Sequence, residues 1–236
     1  MVSVISNRRQ IAHGPYLHNL HLTMDRPVYR IYNMSTPSTA QTPATPGTRE
    51  RLIDAMQQAL RLKGYHGVGL SELLSTANAP KGVLYHHFPG GKTELAVVAI
   101  EGVIGHILSG LDRVFERNMD LSVAMQGWMV GAQKTLAGSG YASGCPLAAV
   151  ALESTPQDVA IRGALATGFA AIRQRLGAGM QAAGMEPTRA SNLAALMVSA
   201  YEGALVQARV AGNVDAMRGT TEALMDLVRA SLPTTT

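Results

Sequence analysis

With 236 residues, of which 47% are hydrophobic and only 15% charged, the chain can bury a substantial core and has room for one small and one larger domain. Its net charge of +4 is unevenly placed: residues 1–46 carry four arginines against one aspartate, residues 47–95 six basic against four acidic side chains, and the remainder ten against eleven. A basic N-terminal part suits a polyanionic partner, while the single cysteine, Cys145, excludes an intramolecular disulfide.

Residues 1–33 show neither helical nor strand periodicity, and Ser35–Gly47 is a run of Ser, Thr, Pro, Ala and Gly that reads as a flexible linker. Residues 1–47 are therefore expected to be a disordered extension and linker. Arg8, Arg9, Arg26 and Arg30 would form a grasping arm for nucleic acid; the alternative is an unstructured tail, or translation that begins at Met34. Asn7-Arg8-Arg9-Gln10 is not followed by the apolar stretch of a signal peptide, and no apolar run approaches the roughly 18 residues of a membrane span. A cytoplasmic location is the expectation.

The first predicted helix covers Thr48–Lys63, with Ile53, Met56 and Leu60 on one stripe, Thr48 as cap and Gly64 just past the end. In the second, Leu70, Leu73, Leu74 and Ala77 recur at helical spacing and Ser71 is placed to cap. Asn78 tolerates the left-handed backbone of a sharp turn, and the residue before Pro80 is pushed out of the helical region. Pro80 then suits the first turn of a third helix, Lys81–Phe88. There Leu84 and Phe88 lie one turn apart and face inward, leaving Lys81, Gly82, Val83, Tyr85, His86 and His87 toward solvent. Two short helices joined by a tight turn form a helix-turn-helix, whose second helix enters a DNA major groove. Lys81, Tyr85 and His86 supply donors for phosphate and base edges, and Val83 an apolar surface for a thymine methyl. Pro89-Gly90-Gly91 ends the element. Lys92 and Thr93 open a fourth helix, where free N–H groups and a lysine together favour a phosphate.

From Thr48 to Leu95 these residues resemble the TetR family of bacterial transcriptional repressors. The resemblance rests on the Gly64-Tyr65 helix end, the Lys81-Gly82 pair, the run Leu84-Tyr85-His86-His87-Phe88, and Lys92 to Leu95. It implies that residues 48–95 are a DNA-binding domain, with Thr48, Lys81, Gly82, Val83, Tyr85, His86 and Lys92 as contacts to double-stranded DNA. Leu60 stands where the family usually has phenylalanine, Leu74 where alanine packs beneath the reading helix, Asn78 where glycine makes the turn, and Pro80 where a serine or threonine touches phosphate. A second stretch, Gly144-Cys145-Pro146-Leu147 through Glu153, with Pro89-Gly90-Gly91-Lys92 and Glu202-Gly203-Ala204-Leu205, is similar to a subgroup that controls efflux and small-molecule-responsive genes.

Beyond Thr93 the pattern is helical without strand signals. A long helix is expected to about Arg117, then one over Leu121–Leu136, a loop at Gly138–Gly144, and a short helix from Cys145-Pro146 to near Ser154. A long helix follows from Pro156 to about Ala183, then two more near Thr188–Ala211 and Val214–Leu232. Leu193, Met197, Ala200, Ala204 and Ala208, then Met217, Leu224 and Leu227, read as a self-pairing surface. The resemblance implies a four-helix dimer interface there, and a two-fold axis is what a palindromic operator requires.

Met125, Trp128, Met129, Phe169, Met180, Met197 and Tyr201 are polarizable or aromatic side chains in a chain with 5% aromatics. All but Met180 are the candidate lining of an effector pocket for an apolar or aromatic molecule, each with plain core as its alternative. Cys145 at a helix start suits either a redox sensor or a packing residue. Glu153 and Glu202 would face a cationic ligand or lie at surface and interface. His86 and His87 point about 100° apart on a helix, which argues against a metal pair, and no metal or cofactor motif appears. Catalytic residues are not expected, because no nucleophile elbow, phosphate loop or paired-carboxylate pattern is present. The reading is an all-α protein with a helix-turn-helix domain and a helical effector-binding and dimerisation domain over residues 96–236. It is expected to be a homodimeric repressor; the alternative is a small-molecule-binding helical protein or enzyme that does not bind DNA.

Overall fold

The computed structural model describes residues 47–116 and 120–233; the expected extension and Arg117 lie outside the described residues. Among these, the chain forms nine helices and no strand, as the all-α reading requires. They are α1 (Thr48–Lys63), α2 (Leu70–Thr76), α3 (Lys81–His87), α4 (Gly91–Phe115), α5 (Leu121–Gly138), α6 (Pro146–Glu153), α7 (Val159–Ala182), α8 (Pro187–Ala211) and α9 (Asp215–Ser231).

Leu52, Met56 and Leu60 recur every fourth residue along α1 and are wholly buried, so the stripe passes through Leu52 while Ile53 is only half-buried. Leu73 and Leu74 of α2, Leu84 of α3, then Phe88 and Leu95 close over it. Helices α2 and α3 have seven residues each, too short to persist in water without this packing. Their junction is built on Asn78 at φ 47, the left-handed conformation expected of it.

The first and third helices start at Thr48 and Lys81 as expected, but four residues read as caps or first-turn residues take other places. Gly47 and Gly69 occupy the cap positions of α1 and α2, so Thr48 and Ser71 fall inside the first turns. The Thr48 hydroxyl accepts from the Arg51 guanidinium at 3.0 Å instead. Pro80 is the extended residue before α3, at ψ 150, and its carbonyl accepts from the Val83 N–H at 3.0 Å. Pro156 does not open α7, because the Asp158 carboxylate takes the Thr155 N–H at 2.7 Å and its hydroxyl at 2.8 Å, tying residues 155–158 into a turn.

The second half is a helical stack. α7 lies against α4 and α8, α9 packs on α8 and α5, and α6 rests on α1 and α4. α4 is long and apolar enough to cross a bilayer by length and composition, yet its apolar side is committed to α1, α5 and α7. Gly168 on α7 lets Ile104 of α4 pack where a β-carbon would stand.

The expected self-pairing surface is corrected residue by residue. Leu193, Met197, Ala204, Ala208, Met217 and Leu224 are buried inside the chain, and Ala200 is half-buried. The apolar side chains left outside are Leu196 (47% exposed), Val206 (48%) and Val210 (85%) on α8, with Leu227 (39%) on α9. α8 has small or apolar residues on opposite sides, and its inner side is taken by α7 and α9.

Candidate nucleic-acid interface

Helix α3 is anchored from below and open above. Leu84 and Phe88 are fully buried, and the Phe88 N–H donates to the Leu84 carbonyl at 2.8 Å. Lys81, Gly82, Tyr85 and His86 are exposed on the opposite side, with Val83 and His87 half-buried. A β-carbon on Gly82 would meet nothing within 4 Å, so the helix backbone here is open to approach. His86 and His87 meet edge to face at 5.0 Å between ring centroids, and no His/Cys/Asp/Glu group among the described residues has metal-binding geometry.

The N-terminus of α1 borders this surface, and two arginines there were missed by sequence reasoning. Arg51 donates its Nε to the Ala77 carbonyl at 3.0 Å and so ties α1 to the α2–α3 turn. Arg49, exposed one residue after Thr48, stands 5.4 Å over the Phe88 ring. The signal was available in Thr48-Arg49-Glu50-Arg51: two arginines in the first turn of the helix that precedes the helix-turn-helix.

Lys92 sits differently from the expectation of a free phosphate donor. Its Nζ donates to the Tyr65 carbonyl at 2.8 Å and lies 4.4 Å above the Tyr65 ring. Burial pushes its pKa down from the ordinary lysine value, opposed by the charge of Glu153. The start of α4 also holds its own carboxylate, since Glu94 accepts from the Gly90 N–H at 2.7 Å.

The six expected effector residues form core rather than an open pocket. Met125, Met129 and Met197 are 2 to 4% exposed, and Trp128, Phe169 and Tyr201 are half-buried against the same cluster. Trp128 and Tyr201 do come together, with ring centroids 6.0 Å apart, and a β-carbon on Gly110 would lie 3.3 Å from the Trp128 indole nitrogen. Two hollows open elsewhere. One, of about 480 Å³, lies between α4 and α7 and is lined by Val97, Ile104, Leu108 and Ala164. The other, of about 320 Å³, lies between α7 and α8 beside Arg173, Gln174 and Gln181. None of the six lines either hollow.

The Cys145 thiol is held far above its ordinary pKa by burial and by the Glu202 charge beside it. It is therefore a packed thiol, not a reactive thiolate. The Glu202 carboxyl is itself pushed up by burial, against the hydrogen bond from Cys145, and its Oε2 is buried without a hydrogen-bond partner among the described residues. Glu153 faces the loop after α1, not a pocket, and accepts from the Tyr65 and His66 N–H groups.

Residues 52–99 match the family model described as bacterial regulatory proteins, tetR family, and residues 122–223 that described as transcriptional regulator LmrA/YxaF-like, C-terminal domain. The chain is 30% identical over 192 residues to an HTH-type transcriptional regulator of Mycobacterium tuberculosis, covering 79% of this chain and 97% of that one. It is 24% identical over 182 residues to the HTH-type transcriptional regulator LmrA of Bacillus subtilis, covering 77% and 97%. Its fold is shared with a regulatory protein TetR from Rhodobacter sphaeroides, at a TM-score of 0.67 and 25% identity over 76% of this chain and 98% of that one. Reduced NemR of E. coli shares it at 0.68 and 22% identity, over 80% and 99%.

Proposed function

The chain belongs to the TetR family of bacterial transcriptional regulators, and from that premise we propose that it is a homodimeric repressor which a small, apolar or aromatic effector releases from a palindromic operator. Residues 48–95 are the DNA-binding domain and residues 96–236 the effector-binding and dimerisation domain, with α4 shared between them. The observation that carries the reading is the two-sidedness of α3: Leu84 and Phe88 lock it down, while Lys81, Gly82, Val83, Tyr85 and His86 stay available. Thr48 and Arg49 extend the surface toward phosphate, and Lys92 supports it from behind. Leu196, Val206, Val210 and Leu227 supply the apolar face on which a second copy would pair. Dimerisation sets two reading helices about 34–36 Å apart, one DNA turn.

The effector reading is supported by the methionines around the Trp128–Tyr201 pair. These side chains fill their own space, so an effector enters by displacing them, which the unbranched, flexible methionine permits. An effector that favours a different spacing of the reading helices loses as much affinity to bound DNA as DNA loses to it.

The test is Gly82→Glu. Because the Gly82 α-carbon faces open space, the variant should fold and dimerise as the parent does. It should lose all protection of the duplex that the wild-type protein selects from a random-sequence pool, since a carboxylate is driven into the groove. An unaltered footprint would remove α3 from the reading role.

A further inference from the structure

Glu153, the last residue of α6, reaches across to the loop that follows α1. Its Oε1 accepts a close hydrogen bond from the Tyr65 N–H, and both carboxylate oxygens lie 3.3 Å from the His66 N–H. The loop is shaped to receive it. Gly64 has φ +67, and a β-carbon there would overlap the Glu153 carboxylate, so the position needs glycine both for its backbone and for its missing side chain.

Tyr65 is fixed from the other side as well. Its carbonyl accepts from Lys92, its ring lies under the same ammonium, and its hydroxyl is 2.9 Å from Thr93 Oγ1. Lys92 and Thr93 follow Gly91, the first residue of α4, whose φ is +65 and whose β-carbon would stand 3.1 Å from the Tyr85 ring. Tyr85 belongs to α3. A continuous set of contacts therefore runs from the end of α6, through Tyr65 and the first turn of α4, to an exposed side chain of the reading helix. The His66 imidazole, 3.0 Å from Asp158 in the α6–α7 turn, forms a second strut beside it.

We propose that Glu153, Tyr65 and Lys92 form a positioning relay for DNA reading, through which α6 sets the placement of α3. The inference rests on the DNA-reading role proposed above and assigns these residues to holding the reader rather than to touching DNA. A loop held in place before DNA arrives has less freedom to lose on binding, so the intact relay favours affinity. A charged acceptor on two backbone N–H groups is of the strength needed to matter.

The experiment uses the full chain and the duplex selected by the wild-type protein from a random pool. Glu153→Ala removes the acceptor: amide exchange at Tyr65 and His66 should rise, and duplex affinity should fall about tenfold, with helical content retained. Glu153→Gln keeps an amide carbonyl that can accept the same N–H groups, so it should recover affinity to within about threefold of wild type. A contribution to stability alone would lower the melting temperature of Glu153→Ala without changing the affinity of the folded fraction. Lys92→Ala should weaken binding while leaving the salt dependence in place; a slope lower by about one unit would instead make Lys92 a phosphate contact and break the relay at α4. Unchanged or raised affinity in folded Glu153→Ala overturns the proposal. If the wild-type protein selects no duplex, the DNA-reading role fails first, and unchanged exchange at Tyr65 and His66 in Glu153→Ala then overturns the relay on its own terms.

Discussion

Glu202 carries a carboxyl into the interior beside the Cys145 thiol, and burial raises its pKa above the ordinary 4.5. In the unfolded chain the group ionises near that ordinary value, whereas in the folded chain it keeps its proton to higher pH. The folded state is thus favoured in full below about 4.5 and loses stability as pH rises through the raised value. Glu202→Gln keeps the size and the hydrogen bonding but has no proton to lose. Its melting temperature should exceed that of wild type at pH 8 and converge with it toward pH 5. An equal difference at both pH values would show that burial of the charge is not the cause. Such residue-level chemistry was only partly legible in the sequence. Lys92 and Cys145 both sit at helix starts, where an exposed lysine meets phosphate and an exposed thiol becomes a thiolate. What decides their behaviour is Tyr65 over one and Glu202 beside the other, each placed by the tertiary fold.

At the scale of elements, α3 divides its residues by face, and the two faces should answer mutation in opposite ways. Leu84 is fully buried, so Leu84→Ala should cost about 2–5 kcal/mol in urea unfolding. His86 is exposed on the same helix, so His86→Ala should stay within about 0.5 kcal/mol of wild type while losing duplex affinity. Equal stability losses in the two variants would mean that α3 is packed on both sides and cannot read a groove. This division was legible because period and turn chemistry agree: Leu84 and Phe88 at four-residue spacing, with Asn78 and Pro80 before them. The helix starts were less so. A serine or threonine one residue inside a helix looks the same in sequence as one at its cap, and Gly47 and Gly69 took the extended positions. Pro156 is equally ambiguous, since the Asp158 carboxylate that delays α7 is two residues further on and is also turned toward His66.

For the whole molecule, the open question posed by the fold is what covers the outer side of α8 and α9. Of the residues that sequence periodicity named, Leu227 is exposed and the others are wholly or partly buried, because α8 has apolar or small side chains on more than one side and only packing against α7 and α9 shows which are used. Leu196, Val206, Val210 and Leu227 remain at 39 to 85% exposure, and fully burying four such side chains is worth several kcal/mol at about 1.5–3 kcal/mol each. A charge placed among them should oppose pairing without disturbing the monomer, as both Val206 and Val210 point away from the core. Val206→Glu combined with Val210→Glu should therefore sediment as a monomer with wild-type helical content. Its affinity for the selected duplex should drop by about 10²–10⁴-fold, because each half-site then binds alone instead of at the high effective concentration given by its partner. Should the double variant remain a dimer, the two-fold axis lies elsewhere on the molecule. A monomer with undiminished affinity would mean instead that one reading helix suffices, and that the operator need not be a palindrome.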